Sequence, residues 1–124
     1  MNSDIIQGSL ISFFALGAIN MICHLILGGW FKIIIKNIQI APMELKLYPA
    51  LISYMLMGFG LYYFIIFKNA TTIEAGILGM IIAGFYEFMN FATFKKWDIV
   101  YTIFDIIWHG IIFVLAFRIV KLLM

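Results

Sequence analysis

Between residues 85 and 110 the chain reads FYEFMNFATFKKWDIVYTIFDIIWHG, an apolar stretch that carries two carboxyls, an amide and an imidazole: Glu87, Asn90, Asp105 and His109. A carboxyl and an imidazole in contact can share and pass a proton, and such groups inside a membrane mark proton relays or ion pathways. The same residues also fit a static lock, in which polar groups satisfy one another and fix how helices pack. There is no HExxH motif, phosphate-cradling glycine loop or Ser-His-Asp order, so no catalytic residue is assigned. Two histidines, His24 and His109, are a weak signal for haem or metal, and neither a metal nor a cofactor is expected.

The elements that position these groups must live in lipid. Of 124 residues, 65% are hydrophobic and 11% charged, with a mean hydropathy of +1.11. Soluble domains run near ~45–50% apolar and ~25% charged, and a small globule cannot hide the excess. The expectation is an integral, multi-pass membrane protein, one transmembrane domain over residues 1–124, with the lipid bilayer as its first partner. The net charge of +2 is spread thinly, which gives no footprint for nucleic acid. A single cysteine, Cys23, excludes a disulfide framework and a Cys-rich zinc site. The N-terminus lacks a basic n-region and reads as a retained helix.

A spanning helix needs ~20 mostly apolar residues. Runs at residues 6–31, 48–67, 72–94 and 99–120 satisfy this, the second entered through Pro49. The connectors KNATT and KKWD are short, and short connectors favour antiparallel neighbours. The fold class is therefore all-α, a four-transmembrane-helix up-down bundle. After the first span, residues 32–41 place Lys32, Lys36 and Gln39 on one face and isoleucines on the other. Two readings are open: an interfacial helix in the headgroup plane, or a first helix that continues. Lys32, Lys36, Lys46, Lys95 and Lys96 lie on one side against Lys68, Arg118 and Lys121 on the other. The excess places loops 1–2 and 3–4 in the cytoplasm and both termini outside.

Ala75, Gly79 and Ala83 form a stripe of small residues on the third helix, suited to close packing against a neighbour, and the next position in that register is Glu87. The KKW turn sets Glu87 and Asp105 at similar depth on adjacent helices. Asn90 lies one turn from Glu87, His109 one turn from Asp105, and the first helix adds Asn20 and His24, so six polar groups can share a layer. Ser53 and Tyr54 can reach it as donors. Trp30 and Trp97 read as interfacial anchors, and Trp108 as packing.

The segment YEFMNFATFKKW, followed eight residues on by Asp105 and then IIWHG, resembles the signature Y-D-x-T-N-x-A-T, W, D-x-x-W-G of a family of small predicted membrane proteins of unknown function. Tyr86, Asn90, Ala92, Thr93, Trp97, Asp105, Trp108 and Gly110 carry the match, and Tyr54 and Gly60 are similar to the family's Y-x-x-Y-x-x-G segment. Glu87 stands where the family usually has Asp, Met89 where it has Thr, His109 is inserted before Gly110, and Asn20 lies near a position that usually holds an acid. The resemblance implies four helices and a polar layer supported by Tyr54, Tyr86, Thr93 and Trp108; it implies no activity.

Three functions fit. The first is a permeation or transport protein for a proton or small cation, built as a homo-oligomer, with Glu87, Asp105 and His109 as the pathway and Asn90, His24 and Asn20 around it. The second is a structural or accessory subunit of a larger membrane complex, with the polar layer as a helix lock. The third is a membrane enzyme acting on a lipid or quinone with the acids as general acid and base; for it the sequence shows no nucleophile or cofactor box.

Overall fold

The computed structural model describes residues 3–40 and 46–124. Four helices follow in chain order: α1 (Ser3–Gln39), α2 (Leu47–Leu61) continuing through a π-helical turn (Tyr62–Ile66), α3 (Thr72–Thr93) and α4 (Ile99–Leu123). Each is long and apolar enough to cross a membrane, and the described residues contain no strand.

Local chemistry sets the ends. Pro49 sits in the first turn of α2, where its missing N–H has no helical partner to lose. Asn69 takes a left-handed φ of 57°, a conformation asparagine tolerates better than most residues, and closes the second span. Thr71 caps α3: its hydroxyl oxygen accepts from Glu74 N at 3.2 Å and its O–H donates to the Glu74 carboxyl at 3.2 Å. Asp98 caps α4 by accepting from Tyr101 N at 2.9 Å. Both are side-chain oxygens satisfying orphan N–H groups of a first turn.

Of the two readings of residues 32–41, the structure has the continuous helix. The 37 residues of α1 rise ~55 Å, well beyond the ~30 Å hydrocarbon core, so the stretch with Lys32 and Lys36 emerges as an extension of the span. α1 stops at Ile40, with φ 56°; Ala41 lies outside the described residues.

The helices pack in the order α2, α1, α4, α3. α1 is flanked by α2 and α4, α4 by α1 and α3 and touched by the π-helical end of the second span, while α2 and α3 make little contact despite their short connector. The reason is where the small residues lie. A Cβ on Gly58 would stand 2.7 Å from Phe13 N and 2.9 Å from Ser9 O, so α2 is drawn against the backbone of α1. The hydroxyls of Ser9 and Ser12 are enclosed without a hydrogen-bond partner. Gly58→Ala is expected to destabilise the protein by about 1–3 kcal/mol through overpacking. Gly60, with open space at its Cβ position, tolerates the same change; thermal unfolding in micelles compares the two.

Leu16, Leu61, Ile112, Phe113 and Val120 are fully buried and form the core around the α1–α4 seam. Leu25, Ile26, Phe85 and Leu122 are among many large apolar side chains that face outward, as a lipid-facing surface requires.

Candidate functional site

The 3.6-residue period puts Ala75, Gly79, Ala83 and Glu87 on one face of α3, and all four are buried. That face meets α4: a Cβ on Gly79 would crowd His109 O and stand 2.7 Å from Phe113 Cγ. With the backbones this close, Glu87 points into the α3–α4 seam and is 1% exposed. On α4, Thr102, Asp105 and His109 follow at helical spacing, and Asp105 is 8% exposed.

In the seam the side chains form one connected chain. The indole N–H of Trp97 donates to Glu87 Oε2 at 2.8 Å. The Glu87 and Asp105 carboxyls are neighbours in the seam, and the nearby Thr102 hydroxyl donates to Asp98 O at 2.9 Å. Asp105 Oδ1 lies 3.2 Å from His109 Nδ1, which is also 2.9 Å from Asp105 O. Carboxyls that face each other repel as two anions and attract when a proton lies between them. The arrangement can therefore hold a proton between the carboxyls of α3 and α4, with the His109 Nδ1–H directed at Asp105.

A second polar contact joins α1 to α4. Trp108 Nε1 donates to Asn20 Oδ1 at 3.1 Å, and Tyr54 of α2 reaches the same Asn20 side chain. Trp108 thus has a polar partner besides its stacking on Phe104, at 6.4 Å between centroids.

The remaining groups lie elsewhere. His24 does not join the layer: it is exposed, with its ring 5.9 Å from that of Phe31. Four residues on a helix turn ~400°, so the 40° drift from Asn20 carries His24 past the buried face. His24 and His109 are consequently not brought together. Tyr86 is 57% exposed and pairs with Asn90, and Thr93, also exposed, donates to Met89 O at 2.8 Å. These three run along the outer side of α3, beside the acid pair rather than within it.

Sequence reasoning missed two residues. Trp97 is not a lipid-facing anchor: it is 8% exposed and turned onto Glu87, because the non-helical turn at residues 94–98 aims its indole inward. No periodicity governs such a turn. Thr102 had a signal, since it lies three residues before Asp105 on the buried face of α4. Trp30 packs its ring on Tyr101 and Phe104, at 5.3 and 5.6 Å.

Among the described residues no group of three or more His, Cys, Asp or Glu is placed to hold a metal ion. One groove between α1 and α4 is lined by Ile11, Phe14, Ile22 and Leu123 among others, and one between α3 and α4 by Ile73, Met80, Ile107 and Val114 among others. Neither groove is lined by Asp105 or Glu87.

Four apolar helices enclosing an acid–acid–imidazole chain define a multi-pass integral membrane protein with a buried polar site. No curated protein and no solved structure matches the chain. Residues 5–119 match the model of a family described as predicted membrane protein (DUF2177), and the chain belongs to that family. This agrees with the resemblance to a family of small membrane proteins of unknown function.

Proposed function

We propose that this protein is a small permeation or transport protein in which Glu87, Asp105 and His109 bind and relay a proton. The observation that carries the reading is the burial of Glu87 and Asp105 together in the α3–α4 seam, with His109 Nδ1 3.2 Å from Asp105 Oδ1. A proton suits the site better than a small cation: hard cations take six or more oxygen ligands, whereas Glu87 already accepts an indole N–H, a donor that repels a cation. The protein acts as a homo-oligomer, since four helices make a thin wall for a pathway, and loops 1–2 and 3–4 face the cytoplasm by their lysine excess.

The test is proton flux into liposomes containing the purified protein, against empty liposomes. Flux above the empty control supports the reading, and its absence at acid and neutral pH on both sides removes it. His109→Gln sharpens the result, because glutamine can still hydrogen-bond to Asp105 but cannot take up a second proton. Flux is expected to fall by about tenfold or more with the fold intact.

The second reading, an accessory subunit with a polar lock, is favoured by the Trp108–Asn20 bond, which ties α1 to α4 without any titratable group. It predicts no flux and an unchanged His109→Gln protein.

A further inference from the structure

The acid chain is approached by polar groups at the α3–α4 turn; beyond His109 the buried face of α4 is apolar, and the enclosed hydroxyls of Ser9 and Ser12 lie on α1 with no hydrogen-bond partner. At the α3–α4 turn, Trp97 lies over Glu87, with its ring stacked on Phe94 at 5.8 Å and edge-on to Tyr86 at 6.5 Å between centroids. Beside it Tyr86, Asn90 and Thr93 form a polar strip along α3 toward the turn. Beyond His109, in the other direction, α4 contributes Phe113, Ala116, Phe117 and Val120, all buried, and Leu16 and Leu61 fill the same core. No polar side chain interrupts that stretch of the buried α4 face.

We propose that the site exchanges protons with water only at the α3–α4 turn, and that Trp97 is the gate there. This rests on the proton-site reading and adds to it an entry side and a gating residue. The indole combines two roles: its N–H holds the Glu87 carboxyl and its ring covers the way to it. Three features make it a movable cover rather than part of the core. It belongs to a short turn rather than a helix, its backbone is tied locally by Trp97 N to Phe94 O at 3.3 Å, and its ring rests on Phe94, itself 46% exposed. Swinging the indole outward breaks one hydrogen bond, that to Glu87, and exposes the carboxyl; opening the opposite end requires separating packed helices. The gate therefore opens by local motion, at much lower free energy than the bundle as a whole.

Access can be read without flux. In lipid nanodiscs both faces meet water, so a water-soluble carbodiimide with an amine nucleophile converts any reachable carboxyl to an amide, scored at Glu87 and Asp105 by mass spectrometry. Trp97→Ala is expected to speed labelling by about tenfold or more, as loss of a local closing contact does. Trp97→Phe keeps the cover and stays closer to wild type, and Phe117→Ala, at the sealed end, leaves the rate unchanged. Should Trp97→Ala fail to fold by thermal melt, Phe94→Ala takes its place, since it removes only the support of the ring and must also accelerate labelling. The inference is overturned if folded Trp97→Ala, or Phe94→Ala in its stead, labels at the wild-type rate, or if Phe117→Ala accelerates labelling as much. Labelling that follows the gate in a protein without flux leaves the gate standing and removes transport; flux with labelling indifferent to Trp97 does the reverse.

Discussion

Glu87→Gln is expected to reduce proton flux by about a hundredfold, the scale on which a positioned proton donor or acceptor contributes. The fold should survive, because the glutamine oxygen can still accept the Trp97 N–H that Glu87 accepts at 2.8 Å. The amide also replaces one carboxyl of the Glu87–Asp105 contact with a neutral donor, so the stability change stays within about 1 kcal/mol. Asp105→Asn interrupts the same chain and should give a loss of similar size. Because the two groups act in series, the double variant should lose little more than either single one, the non-additivity of residues that work as a unit. Flux in liposomes with a parallel thermal melt checks all three proteins. Full flux in folded Glu87→Gln would exclude the relay and leave the carboxyl as a lock.

The largest structural effect is expected at Gly79. Its Cβ position lies 2.7 Å from Phe113 Cγ and crowds the backbone oxygen of His109, and a carbonyl on a helix cannot rotate away as a side-chain tip can. Gly79→Ala must push α3 from α4 at an expected cost of about 1–3 kcal/mol, and Gly79→Leu should prevent the seam from forming. Gly17 is the control: its Cβ position is open, and alanine there should be neutral or slightly stabilising by helix propensity. Reversible unfolding in micelles ranks the variants. Since Gly79 and Glu87 share a face two turns apart, Gly79→Ala should also expose Glu87 to carbodiimide.

The spans were legible because lipid imposes a length and a polarity that few other environments do, and Pro49 marked where the second one begins. The pairing of Glu87 with Asp105 was legible for a related reason: a turn as short as residues 94–98 fixes the register of its two helices. The course of residues 32–39 was not, because an amphipathic helix lying flat and one extending a span have the same periodicity. Nor was the separation of α2 from α3. A short connector brings helix ends together, but which faces pack depends on backbone approach at Gly58 and Gly79, and that depends on partners across the chain. His24 and Trp97 mark the limits of two rules. Spacing by four keeps side chains near one another but lets them drift off a buried face, and a tryptophan at a span's end turns out to lipid or in to a partner according to a turn that no pattern encodes.

Because α1 packs with α2 and α3 with α4, the molecule is two hairpins joined along the α1–α4 seam. Every acid and imidazole of the site, with Trp97 and Thr102, belongs to the second hairpin, while the first reaches that level through Asn20 and Tyr54. During insertion into the bilayer the later hairpin can thus settle its own charged groups as its turn closes, before docking. Asn20 and the Trp108 indole are then the uncharged pair through which the two hairpins meet, while the acids and the imidazole all lie on the second.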